Sequence, residues 1–448
     1  MNRRILDLAI PNIVSNITVP LLGLVDIALM GHLDSHVFIG AIAIGSLIFN
    51  FIYWGFSFLR MGTSGFTSQA LGRRDLQEVT NILTMSLMIA IGSGIALIIL
   101  QYPIELLSFL IITAEPEVEV LAAQYFRIRV WAAPATLAQF AMMGWFLGMQ
   151  NARIPMMISI AVNIVNIAAS IFFVRALEMN SAGVALGTVI AQYCGLLLSL
   201  ILFRRYFSKL ISYISIAKAF VRNKVRAFMV INRDIFIRTI CLVIVFSFFT
   251  AKSASADAES DAGETILAVN SLLMQFFMFF SYLIDGYAHA AEALTGRFTG
   301  ARDQGNLRKM VRLVFLWGGA GASLFTLTYL FAGDHLLRIL TSNEEVISNA
   351  APYFFWVLLV PLISFPAFLW DGIFIGATAG REMRNAMIIS SLLIFFPAYF
   401  LLQNIMGNHG LWLAFVLYMG SRSLTMSLMA QGVISLSDDG KPNRERAD

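Results

Sequence analysis

The chain has 448 residues, 58% of them hydrophobic and 13% charged, with a mean hydropathy of +0.76. Soluble domains carry about 25% charged residues, so this composition excludes one and predicts an all-α polytopic membrane protein. The net charge of +4 sits in loop lysines and arginines that set topology, and gives no reason to invoke nucleic acid.

Twelve apolar windows are long enough to cross about 30 Å of hydrocarbon as helices. The first six run over 5–33, 42–71, 79–100, 120–149, 154–177 and 182–203; the second six run over 228–251, 266–294, 311–331, 351–377, 387–402 and 411–434. Lipid cannot satisfy free backbone groups, and a barrel would show alternating segments of about ten residues instead. The short MNRR leader predicts an uncleaved first helix.

The first window, PNIVSNITVPLLGLVDIALMGHLD, places one carboxylate, Asp26, in a long apolar run. A charge at membrane depth costs about 2.5–3.5 kcal/mol on insertion scales, so such a residue is a functional candidate by default. The alternative is a protonated acid serving as packing glue. Pro11 and Pro20 lie in the same window; each removes a backbone hydrogen bond and can bend the helix. Window five supplies Asn163 and Asn166, and window six supplies Thr188 and Gln192. These polar groups can share a network with Asp26 if the lobe packs them together.

The segment FRRYFSKLISYISIAKAFVRNKVRAF, residues 203–228, is basic, apolar in part and too interrupted to span. It reads as a cytoplasmic connector lying along the membrane surface. In window seven, Arg238 follows Asp234 by four residues, the spacing of a helical ion pair. In window eight, Asp285, His289 and Glu292 share one face. They suit either a path for a proton or cation, or a solvated cytoplasmic mouth. Asp371 is the one acid of window ten. Cys194 and Cys241 both fall in apolar windows, which leaves no disulfide framework and no thiolate metal site. With no Walker A sequence, ATP hydrolysis by this chain is excluded, and neither an enzymatic activity nor a cofactor is expected.

Lysines and arginines concentrate on the side of the N-terminus, while the opposite loops carry Glu115, Glu117, Glu119, Asp257, Glu259, Asp261 and Glu264. Both termini are therefore expected in the cytoplasm. The two sets of six windows are copies. A shift of 228 positions aligns Gly72, Arg74 and Asp75 with Gly300, Arg302 and Asp303, and Gly144, Phe146, Gly148 and Arg153 with Gly372, Phe374, Gly376 and Arg381. An even number of spans per copy implies parallel repeats. The expected organisation is an N-lobe over 1–203, the connector over 204–227, a C-lobe over 228–435 and a polar cytoplasmic tail over 436–448.

The runs PLLGLVDIALMGHLDS, GTSGFTSQALGRRD and LIDGYAHAAEALTGRFTGARD resemble the multidrug and toxic compound extrusion (MATE) family, most closely its DinF-like branch. The resemblance implies a V-shaped transporter of two six-helix lobes, monomeric in the bacterial inner membrane, that exports small organic, often cationic or amphipathic compounds by alternating access. It implies that Asp26 couples transport to a cation, that Pro11 bends the first helix, and that Asn166 and Thr188 belong to the same site. Related members carry a second acid in helix 5 where Ser170 stands here. Sodium-coupled members resemble a different pattern, whose helix-10 Asp is matched by Asp371 but whose helix-7 Glu has no counterpart. Proton coupling is therefore expected, with sodium coupling or a lipid-linked glycan flippase as alternatives. A flippase would use cations such as Arg60, Arg127, Arg129 and Arg422 to hold a pyrophosphate.

Overall fold

The computed structural model describes residues 1–30, 36–112, 114–258 and 263–435, and the side chains of these apart from 19–30, 36, 256–258, 263 and 264. Among the described residues every regular element is helical. The first helix, α1, is Asn2–Met30. Eleven further helices among the described residues are long and apolar enough to cross a membrane: α2 Val37–Gly72, α3 Leu76–Ile99, α4 Pro116–Gly148, α5 Arg153–Ala176, α6 Asn180–Tyr213, α7 Arg222–Ser255, α8 Thr265–Gly300, α9 Gln304–Leu340, α10 Glu344–Gly376, α11 Gly380–Met406 and α12 Asn408–Ile434. Each of the twelve expected windows falls on one helix, residues 31–33 of the first window lying outside the described residues. Proline accounts for two local irregularities. A 3-10 turn at Val130–Ala132 precedes Pro134, and another at Ala351–Tyr353 contains Pro352, where a missing N–H breaks the regular ladder.

The chain divides into two compact units, 14–229 and 1–13 with 230–448. The repeat is visible in the backbone of each. Arg74 and Arg302, 228 positions apart, both take positive φ, 60° and 56°, and Gln150 and Thr378 repeat this at 63° and 54°. Each residue ends a helix in a left-handed turn that returns N–H groups to the last carbonyls. Asp75 N–H donates to Ala70 O as Asp303 N–H donates to Phe298 O, and Asn151 N–H donates to Phe146 O as Ala379 N–H donates to Phe374 O. The Asp75 and Asp303 side chains then cap α3 and α9, accepting from Glu78 N–H at 2.9 Å and Asn306 N–H at 3.1 Å.

Close packing repeats in the same register. A Cβ on Gly144 would overlap the carbonyl of Arg60, and one on Gly372 would overlap that of Ala288; Gly148 meets Ser64 and Thr67 as Gly376 meets Glu292 and Thr295. The ungapped equivalence of Arg60 with Ala288 pairs Asp285 with Ser57 in the repeat.

The core of the unit 14–229 centres on Trp145, whose indole N–H donates to Val79 O at 3.0 Å while its ring meets Phe203 and Phe207 edge-on. The connector docks on the start of α3. Gln77 donates to Tyr213 O at 2.6 Å, Lys224 pairs with Glu78, and Phe228 is buried against Phe66. In the other unit, α1 lies against α8 where Gly286 leaves room for Ala9 and Ile13.

Candidate functional site

The polar groups of α5 and α6 meet inside the unit 14–229. The Thr188 hydroxyl donates to Val184 O at 3.0 Å, so its oxygen is left to accept, and Asn166 Nδ2 donates to it at 3.0 Å. That arrangement fixes the orientation of the amide. Asn166 is 2% exposed, and its Oδ1 is buried without a hydrogen-bond partner. One turn further along α5, Ser170 is also buried, and its hydroxyl likewise has no partner. The close approach of α6 depends on Gly187, where a Cβ would stand 2.7 Å from Ser170 Oγ. Asn163 faces α1 instead and donates to Thr18 O at 3.2 Å.

One expected member lies elsewhere. Gln192 binds Gln139, which donates to its backbone and side-chain oxygens at 2.7 Å each, so it is not part of the Asn166 network. The side chains of Asp26 and Pro20 lie outside the described residues. Pro11 is buried within α1. Ser170 is the group that sequence reasoning passed over as a mere substitution. Its spacing of four from Asn166 placed it on the same face, but only packing against Gly187 shows it lining the same polar patch.

In the unit of 1–13 and 230–448 the charged side chains pair differently from the sequence expectation. Arg238 does not bind Asp234. It pairs with Asp371 on α10, and Arg422 of α12 pairs with the same carboxylate oxygen. Asp234 is held instead by Arg384 at 2.8 Å and Arg233 at 3.1 Å. Glu292 is fully buried, while Asp285 and His289 are half-buried. Burial of Glu292 within the helix packing leaves the solvated-mouth reading without support at that residue. Of the other cations singled out, Arg127 forms a bidentate pair with Glu105 at 2.7 and 2.8 Å, and Arg129 donates to Tyr125 at 2.7 Å and Ser46 at 3.1 Å.

The MatE family model matches residues 11–172 and 242–400. The chain is 38% identical to the DNA damage-inducible protein F of Escherichia coli over 94% of its own length and 90% of that protein's. It is 18% identical to the multidrug export protein MepA of Staphylococcus aureus over 91% of this chain and 88% of the relative. An outward-facing multidrug resistance MATE transporter of the MOP superfamily shares the fold, with a TM-score of 0.86 and 18% identity, covering 96% of this chain and 95% of that one. The repeated helices, the α5–α6 polar patch and these similarities lead to one conclusion: the chain belongs to the MatE family of multidrug and toxic compound extrusion transporters.

Proposed function

We propose that the protein is a secondary active antiporter of the bacterial inner membrane, with two six-helix lobes over 1–203 and 228–435 and both termini cytoplasmic, exporting small amphipathic organic compounds in exchange for protons. The observation that carries the proton reading is the open acceptor at Asn166 Oδ1. With Thr188 already using its proton, this patch offers a carbonyl oxygen, which accepts from a protonated carboxyl and repels a carboxylate. Asp26 supplies that carboxyl. It lies eight residues beyond Thr18, about 12 Å along α1, while Ser170 lies seven residues beyond Asn163, about 10.5 Å along α5. Since Asn163 ties to Thr18 O, and both helices leave the same side of the membrane, the two polar groups fall at similar depth.

Protonation removes the cost of burying Asp26 against α5 and α6 and favours the conformation in which α1 packs there; ionisation favours a wetter one. Only such a difference between states can couple proton binding to transport. Sodium coupling is disfavoured at Asp371, whose carboxylate is already engaged by two guanidinium groups that a cation would have to displace. A flippase reading is disfavoured because Arg127 is neutralised by Glu105. The test is purified protein in liposomes under a proton gradient or a sodium gradient alone. Export of a cationic dye driven by protons supports the reading, and export driven by sodium alone overturns it.

A further inference from the structure

Arg238, Arg422 and Asp371 form a buried cluster contributed by three helices, α7, α12 and α10. Arg422 is 1% exposed, Asp371 6% and Arg238 7%. Both arginines share one oxygen, Asp371 Oδ2. Four other atoms are unsatisfied: Arg238 Nε, Arg422 Nε, Arg422 Nη1 and Asp371 Oδ1 are all buried with no hydrogen-bond partner. Neighbouring groups do not supply the missing acceptor. The Tyr418 hydroxyl is directed to Met387 Sδ at 3.1 Å, and Phe368 offers Arg422 its ring face at 5.5 Å. Asp285, the other acid acting on Arg238, does so through space without a hydrogen bond to it.

Two guanidinium groups share one carboxylate oxygen, and Asp285 acts on Arg238 without bonding it, so charged donors stay buried and unbonded, which is among the costliest features a fold can keep. A brace between helices would be cheaper with an apolar replacement or a fully bonded pair. An unfilled donor on each of two arginines calls for an acceptor that carries negative charge, which a guanidinium binds directionally. We propose that Arg238 and Arg422 bind one monovalent anion, either a halide or the carboxylate head of an organic anion. With an organic carboxylate as occupant, the site widens the compounds this transporter handles from cationic to anionic amphipaths; with either occupant it is independent of how transport is coupled. Asp371 is the internal competitor, holding the two arginines until the anion arrives.

The test is thermal unfolding of the purified full-length protein in detergent, with HEPES as the only other anion. Sodium chloride and sodium octanoate are titrated separately at constant ionic strength, with octyltrimethylammonium as a tail-matched cation. The proposal expects a saturable rise in Tm with chloride, octanoate or both, and none with the cation; an effect of chloride alone assigns a halide, and one of octanoate alone assigns an organic anion. Arg422→Gln and Arg238→Gln should abolish the rise. Asp371→Asn removes the competing charge and should bind the effective anion at least about tenfold more tightly, with its folding rescued by that anion. A wild-type Tm that neither anion moves overturns the proposal. So does an equal response to octanoate and octyltrimethylammonium, or a response that survives both arginine substitutions.

Discussion

Gly372 packs so closely on the carbonyl of Ala288 that no side chain fits between α10 and α8 at that point, and Gly144 stands in the same relation to Arg60 between α4 and α2. The obstruction is backbone and cannot rotate away. Gly144→Ala and Gly372→Ala should each destabilise the protein by at least about 1–3 kcal/mol, the usual range for overpacking. Gly92→Ala, in a helix where an added Cβ meets nothing, should leave stability within about 1 kcal/mol of wild type. Thermal unfolding in detergent compares the three.

Asp26→Asn should abolish export driven by a proton gradient while the protein still inserts and remains monodisperse. An amide cannot cycle between charged and neutral forms. Export at the wild-type rate would move the coupling site to the face of Asp285, His289 and Glu292.

Gly187→Ala tests the α5–α6 patch without altering a polar group. Its Cβ would press on Ser170 Oγ and the Ser170 backbone, pushing α6 off the Asn166–Thr188 pair. Transport should fall by at least about tenfold, the consequence of a coupling change near 1.4 kcal/mol. Unchanged transport, measured in liposomes with matched protein incorporation, would remove Ser170 and Gly187 from the site.

The cap at α9 makes a pH-dependent contribution. Hydrogen bonds from the Asn306 side chain and backbone N–H hold the Asp303 carboxyl below its ordinary value. Its folded pKa is therefore below the unfolded one, so the stabilisation is present above the unfolded value and is lost as pH falls through the folded one. Asp303→Ala should cost about 0.5–2 kcal/mol at neutral pH, and the gap from wild type should close in acid. Paired unfolding curves at neutral and acidic pH measure this.

Asp371→Asn should reduce the yield of folded protein more than Asp234→Asn does. Removing Asp371 strands two buried arginines, a change that typically costs about 3–5 kcal/mol, whereas Arg384 and Arg233 at Asp234 are more exposed and can turn to water. Size-exclusion profiles of the two variants, purified in parallel, decide it.

The sequence by itself determined the twelve helices, their approximate ends, the 228-residue repeat and the family. Those features are local or composition-borne: a helix satisfies its own backbone, apolar length is set by bilayer thickness, and the caps at Asp75 and Asp303 bind N–H groups three residues on. The presence of Asn163, Asn166 and Thr188 was legible for the same reason, as polar residues in apolar helices. Partner choice was not. Arg238 ignores the acid one turn away for one 133 positions distant, and Gln192 binds Gln139, 53 positions away, rather than Thr188 on its own helix. Spacing along a helix shows which groups share a face, but the face that a neighbouring helix presents decides which of them meet. Only tertiary packing oriented the Asn166 amide, put Ser170 beside it, and left the donors of Arg238 and Arg422 unfilled.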